Sequence, residues 1–199
     1  MGAFISSKYA LHYPEHVKKV AFFSPWASEA TTEEHVEDID KRFQEMSWAR
    51  KLFYRMIRGW YSRKGTPFGM ARTAGRLVGG YGIKRAIRRR FAKSIPEDEM
   101  DLMCDYMHHI IMNKGCSEPA LNIMFPNFMV TEKAISNFLE EYIENNIEIS
   151  FYYGTHDWMN SSFNGDNVSR QIEDNGHKVY IIEDAGHHIY FDNPDHAME

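Results

Sequence analysis

Short apolar runs at 17–23 and 178–182, together with alternating apolar and polar residues at 147–153, predict three β-strands. Ahead of the first run, residues 2–13 begin with small side chains and end before Pro14, which favours a helix packed closely against a sheet. A helix, a turn and a strand in this order form half of a βαβ unit. The pattern therefore predicts an α/β fold.

The segment between residues 27 and 143 follows a helical period instead. Large apolar residues recur there at intervals of three and four in two groups, Trp48, Leu52, Phe53, Met56, Ile57 and Trp60, then Met100, Met103, Met107, Ile110 and Ile111. This spacing predicts helices, and plain core packing is the simplest interpretation of both stripes. Glycine and arginine dominate residues 66–82, which predicts a mobile connection. The sequence contains no run of 18 apolar residues, so no membrane span is predicted.

Candidate chemistry lies just beyond the last two strands. Asp157 follows the break that Gly154 makes after the second strand, and His187 follows the third across a turn for which Gly186 supplies conformational freedom. Open α/β sheets bind ligands at this edge. An acid that orients a histidine, which takes and returns a nucleophile's proton, makes up two members of a hydrolase triad. We therefore predict Asp157 and His187 as acid and base; two ordinary strand-end turns are the alternative.

Charge is unevenly distributed along the chain. Residues 41–93 hold 16 lysines and arginines and one acid, a net charge of +15, while the remainder carries −20. Within this block, Ile83, Ile87 and Phe91 fall at helical spacing among cations. We predict an interfacial helix attracted to anionic lipid, with contacts from Arg85, Arg88, Arg89, Arg90 and Phe91. A solvated charged face is the alternative, and no recognition motif supports nucleic-acid binding.

Metal and cofactor sites are not predicted. His156, Asp157, His187 and His188 would cluster in such a fold, but their spacing matches no metal-binding motif, and His188 is interpreted as a neighbour of the site. His108 and His109 are not expected to be ligands either. The two cysteines, Cys104 and Cys116, do not make a disulfide framework and are interpreted as reduced thiols. With no secretory signal evident, this favours an intracellular protein.

Several stretches, in this order and spacing, give the chain a specific resemblance. They are Gly2 to Trp26 with Tyr13-Pro14-Glu15-His16-Val17 and Ser24-Pro25-Trp26, Tyr106 to His109, Cys116 to Leu121, Tyr153 to Met159, and His187 to Asp192. The chain resembles the α/β-hydrolase-domain-containing 4 and 5 family and the related cardiolipin deacylases. The resemblance implies the C-terminal half of an α/β-hydrolase sheet, with core at 1–26, a helical lid insert at 27–143, and core carrying acid and histidine at 144–199.

The resemblance also implies a segment ahead of residue 1. The family's nucleophile stands in a Gly-x-Ser-x-Gly elbow, and Met1-Gly2 would be its last two residues. Some family members carry asparagine in place of that serine. We therefore expect the 199 residues alone to be inactive and poorly soluble.

Asp192 has two interpretations. With His187 it forms the His-x4-Asp pattern that the resemblance links to acyl transfer. It could equally cap a helix beginning at Pro194-Asp195, which is slightly favoured because His187 already has Asp157 as its partner.

The resemblance implies a lipid acyl-ester hydrolase or a lysophospholipid acyltransferase, with lysophosphatidic acid as one acceptor. The expected partners are a phospholipid or lysophospholipid substrate and an anionic membrane or lipid-droplet surface. Such a protein would be cytoplasmic, peripheral to membranes, lipid droplets or mitochondria. The alternative is a non-catalytic lipid-surface protein that binds and activates a separate lipase.

Overall fold

The computed structural model describes residues 2–25, 41, 43–92, 94–116, 118–124, 134–160 and 167–198. The strands are β1 (Lys19–Phe23), β2 (Glu148–Gly154) and β3 (Lys178–Ile182). The helices are α1 (Gly2–His12), α2 (Trp48–Ser62), α3 (Pro67–Thr73), α4 (Gly75–Phe91), α5 (Glu97–Met112), α6 (Leu121–Met124), α7 (Leu139–Glu144), α8 (Val168–Asp174), α9 (Ile189–Asp192) and α10 (Pro194–Met198). Two compact units result: the sheet unit, Met1–Gln44 with Val130–Glu199, and the helical unit, Glu45–Met129.

The three strands form one parallel sheet in the order β1-β2-β3. The first strand begins two residues later than predicted, because the Val17 amide instead donates to the Pro14 carbonyl in a 3₁₀ turn. The register aligns Phe23 with Tyr152 and Tyr152 with Tyr180. All three strands therefore deliver their carboxyl ends to the same edge of the sheet.

One face of this sheet carries the core of the unit. Residues from α1, α7 and α8 pack against the strands, with Ala10, Phe22, Leu139, Tyr142, Ile149, Phe151, Tyr153, Val168 and Ile172 buried. The Tyr142 hydroxyl donates to Ser7 Oγ at 2.7 Å inside this core. Because that donor would otherwise be buried without a partner, the bond ties α7 to α1.

The structure corrects the predicted end of the helical insert. The prediction extended it to residue 143, but Ile135, Leu139 and Tyr142 belong to the sheet core, since their side chains pack against the strands. The helical unit ends at Met129. Its role as a lid stays a prediction.

The helical unit has a core of its own. Ile83, Ile87 and Phe91 of α4 pack against Met100, Cys104 and Ile111 of α5. Residues 66–82, predicted as a mobile connection, instead form α3 and the first half of α4. Gly79 allows close packing there, because a Cβ on it would come within 2.0 Å of the Ala71 carbonyl oxygen.

The two predicted apolar stripes differ in burial. Met100 and Ile111 are buried in the core, as predicted, although Ile110 is exposed. On α2 the core interpretation is wrong, because Trp48, Leu52, Phe53 and Met56 are all exposed. Among the described helices, none has the length and hydropathy needed to cross a membrane.

Candidate active site

The site lies at the carboxyl edge of the sheet, where each strand is followed by a polar residue. Ser24 follows β1 directly, Asp157 stands three residues after β2, and His187 stands five residues after β3. The strand register brings these three chain segments together although 163 positions separate Ser24 from His187. Parallel packing therefore assembles the site from distant parts of the sequence.

Asp157 and His187 form a direct pair. His187 Nδ1 lies 3.3 Å from Asp157 Oδ1, and the two side chains are 25% and 0% exposed. An ionised carboxylate can only accept hydrogen bonds, so this contact assigns the imidazole proton to Nδ1. Nε2 is then left as the basic nitrogen, which is the tautomer a general base needs.

The Asp157 carboxylate is held in its ionised form. Burial is the largest influence and opposes ionisation. The hydrogen bonds from His187 and the Met159 amide, together with the nearby Ser24 hydroxyl, outweigh it and lower the pKa of Asp157. The Met159 amide donates to Oδ1 at 3.0 Å. Asp157 thus keeps the negative charge that orients and stabilises a protonated His187.

Ser24 is the residue whose place in the site the sequence did not predict. It adopts a left-handed backbone with a φ of 44°, and its side chain is buried. Neither its Oγ nor Asp157 Oδ2 forms a hydrogen bond with a described residue. The hydroxyl nevertheless contributes to the lowered pKa of Asp157. The sequence feature that could have indicated Ser24 as a site residue is its position directly after the first predicted strand.

The acid turn and the histidine turn are joined through their backbones. The Thr155 amide donates to the Ile182 carbonyl at 3.0 Å, and the His156 amide donates to the Ala185 carbonyl at 2.9 Å. A Cβ on Gly154 would come within 2.1 Å of the Ala185 carbonyl oxygen. Gly154 is therefore required for this close approach and is itself the last residue of β2, not a break in the strand.

Gly186 also has a different function from the one predicted. The left-handed residue of the turn is Asp184, with a φ of 51°. A Cβ on Gly186 would lie 3.2 Å from Asp192 Oδ2, which accepts a hydrogen bond from the Gly186 amide at 2.9 Å. The capping bond to α10 comes from Asn193, whose Oδ1 accepts from the His196 amide. The prediction that slightly favoured a capping role for Asp192 is therefore corrected: Asn193 caps α10, and Asp192 contacts the turn that carries His187.

Aromatic rings surround His187. The Trp158 ring lies 5.4 Å from it and the His188 ring 5.2 Å, measured between centroids. The ring contact makes His188 a neighbour of the site, as predicted. Tyr190 Oη in turn lies 3.2 Å from His188 Nδ1. Trp158 and Tyr190 are more than half exposed. The base thus opens onto a surface with apolar character. No group of three or more potential metal ligands occurs among the described residues.

The predicted lipid-binding residues lie in the helical unit, and the structure corrects their arrangement. Phe91 is buried in the contact between α4 and α5, so it cannot face lipid. Arg88 pairs with Glu97 and Asp101 of α5. Arg85, Arg89 and Arg90 are exposed. The apolar side of this helix was predicted to enter a membrane, but a neighbouring helix covers it.

Comparisons with known proteins agree with this architecture. A family model described as alpha/beta hydrolase fold matches residues 1–194. A 1-acylglycerol-3-phosphate O-acyltransferase of Arabidopsis thaliana is 23% identical over 97% of the chain and 44% of its own length. A (lyso)-N-acylphosphatidylethanolamine lipase of Mus musculus is 24% identical over 98% of the chain and 53% of its own length.

An abhydrolase domain-containing protein of Caenorhabditis elegans is 23% identical over 100% of the chain and 40% of its own length. The chain thus spans about half the length of the curated relatives it matches. No solved structure gives a significant match. The resemblance and the α/β-hydrolase fold predicted from the sequence are confirmed. With a parallel sheet that brings an acid and a histidine to one edge, and a family match along almost all of its length, the chain belongs to the α/β-hydrolase fold family.

Proposed function

We propose that this chain supplies the acid and the general base of a lipid acyl-ester hydrolase or lysophospholipid acyltransferase. The observation that carries the proposal is the contact between His187 Nδ1 and Asp157 Oδ1 at the carboxyl edge of the sheet. The names of the relatives support the substrate class, since they include an acyltransferase for 1-acylglycerol-3-phosphate and a lipase for N-acylphosphatidylethanolamine.

In the proposed reaction, His187 Nε2 takes the proton of an attacking hydroxyl group as its oxygen adds to the ester carbonyl. The acyl C–O bond then breaks, and the imidazolium returns the proton to the departing alkoxide. Asp157 stabilises the imidazolium while the proton is held there. A water molecule as acyl acceptor gives hydrolysis, and a lysophospholipid hydroxyl gives acyl transfer.

The first experiment replaces the two residues in the full-length protein. His187→Ala should lower kcat by several powers of ten, and Asp157→Asn by about 10⁴ at most, with small effects on KM. Turnover is measured with a short soluble ester, with N-acylphosphatidylethanolamine, and with lysophosphatidic acid plus an acyl donor. His12→Ala, at an exposed histidine that ends α1, is the matched control and should retain activity.

Near-normal turnover in His187→Ala would exclude this mechanism and favour the non-catalytic protein that activates a separate lipase. The 199 residues contain no Gly-x-Ser-x-Gly sequence, so we expect the isolated chain to be inactive. Activity in the isolated chain would direct the search for a nucleophile to Ser6 or Ser24.

We further propose that the helical unit binds an anionic membrane or lipid-droplet surface through α2. The carrying observation is the exposed row of Trp48, Leu52, Phe53 and Met56, where Trp48 is 79% and Leu52 62% exposed. The helix also contains three arginines, one lysine and no acid. Aromatic rings and cations on one helix suit the headgroup region of a bilayer, with roughly 1 kcal/mol per cation near the surface. The peripheral location predicted from the sequence stays a prediction.

The test compares two exposed leucines in the full-length protein. Leu52→Ser should reduce co-sedimentation with vesicles containing phosphatidylserine several-fold, because it removes apolar area from the α2 row. Leu102→Ser is the control: Leu102 is 72% exposed on α5, whose sequence is rich in acids that an anionic surface repels. Equal loss in both variants, or binding that is insensitive to salt, would contradict the proposal.

A further inference from the structure

The turn that carries His187 is held by a group of side chains that follows it in sequence. Asp192 ends α9, and Asn193 and His196 belong to the next few residues. We call these three residues the turn clamp. Each of them forms a hydrogen bond with the backbone of the segment between Glu183 and Gly186.

The three contacts cover both ends of that segment. Asn193 Nδ2 donates to the Glu183 carbonyl at 3.0 Å, and the Glu183 amide donates to His196 Nδ1 at 3.2 Å. At the other end the Gly186 amide donates to Asp192 Oδ2 at 2.9 Å. The last contact stands directly before His187, so Asp192 fixes the peptide from which the imidazole projects.

The turn needs such support because its backbone is not relaxed. Asp184 has a φ of 51°, in the left-handed region that disfavours residues with a Cβ. Beneath the turn, Ile189 is fully buried against Ile182 and Ala185. Apolar packing thus anchors α9 to the end of β3, which places the clamp residues within reach of the turn.

We propose that Asp192 is a positioning residue for His187, acting through the Gly186 amide as a hydrogen-bond acceptor and assisted by Asn193 and His196. The inference rests on the proposed function, because it assigns the clamp the task of holding the general base against Asp157. It differs from a direct role of Asp192 in acyl transfer, which would require the charge of the aspartate near the reacting groups. If Asp192 acts as a hydrogen-bond acceptor, a neutral side chain with an acceptor oxygen can replace it. If its negative charge is required, such a side chain cannot.

The deciding pair of variants is Asp192→Asn and Asp192→Ala in the full-length protein. Asparagine keeps an acceptor oxygen of the same reach, so turnover should stay within about threefold of the original protein. Alanine removes the acceptor and should lower kcat by about 10- to 100-fold with little change in KM, since a displacement of about 1 Å is that costly. If Asp192→Asn loses as much activity as Asp192→Ala, the positioning role is overturned.

A second measurement does not depend on turnover. Amide hydrogen exchange of Gly186, followed by NMR, should become about tenfold faster in Asp192→Ala and stay near the original rate in Asp192→Asn. Asp195→Ala, at an exposed acid in α10, is the matched control and should change neither exchange nor activity. Unchanged Gly186 exchange in Asp192→Ala would overturn the inference. If exchange responds as expected but the unaltered protein has no ester turnover, the proposed function fails while the clamp stands.

Discussion

At the scale of single residues, the state of one carboxylate decides what the site can do. Asp157 is buried, and burial by itself would raise its pKa. His187, the Ser24 hydroxyl and the Met159 amide outweigh that effect and lower its pKa. The result is a charged group without solvent exposure, positioned 3.3 Å from the imidazole that it orients.

The lowered pKa gives a prediction for stability as a function of pH. A depressed folded-state pKa adds stability above the unfolded value, here 3.8, and that stability is lost as the pH falls through the lower folded pKa. Asp157→Asn should therefore be less stable than the original protein at pH 7, and the difference should shrink below pH 3.8. Urea unfolding at several pH values measures it.

The comparison has two internal controls. Both proteins keep His177, whose pKa burial lowers, so its effect cancels between them. Asp174→Asn is the matched control, because it replaces an exposed acid that ends α8 and leaves the buried carboxylate of Asp157 in place. A difference that persists or grows as the pH falls through this range would mean that Asp157 is not ionised in the folded protein.

At the scale of elements, the basic helix α4 packs against a neighbouring helix and forms ion pairs with it. Its buried face meets α5, and Lys84 and Arg88 pair with acids across that contact. The Lys84 hydrogen bond lowers the pKa of Asp105. The +15 block is therefore partly balanced by the acidic helix that follows it, a balance that becomes visible only when the two helices are placed together.

Two glycines of α4 give a matched test of this packing. Gly82→Ala should raise stability by about 1 kcal/mol. Apart from the backbone of its own helix, no atom of the described residues lies within 4 Å of the new Cβ, and alanine is the better helix former. Gly79→Ala should instead lower stability by about 1–3 kcal/mol, because its Cβ would meet backbone of α3. Thermal unfolding followed by circular dichroism compares them, and similar effects in both variants would contradict the packing described.

At the scale of the whole molecule, the chain leaves its sheet after β1 and returns to it at β2. Phe22 and Phe151 are paired neighbours although 129 positions separate them. The entropic cost of closing such a loop grows only with the logarithm of its length, so a long excursion is tolerated. Each unit has its own apolar core.

The sequence by itself determined the strands, the helix α1 and the acid–histidine pair. Each of these follows from local information: the spacing of apolar residues along the chain, a proline after a helix, or a polar residue just past a strand. The resemblance of the motifs then determined the family. Asp157 and His187 could be predicted together because the ends of parallel strands share an edge.

Only the tertiary structure decided which apolar faces are covered and which backbone groups need a partner. The periodicity of α2 and that of α4 are alike in the sequence, yet α2 exposes Trp48 while α4 buries Phe91. The hydrogen bond from the Ser24 amide to the Tyr152 carbonyl likewise joins segments that meet only when the sheet forms. Amphipathic spacing states that a face is apolar, but contact with another element decides whether that face becomes core or surface.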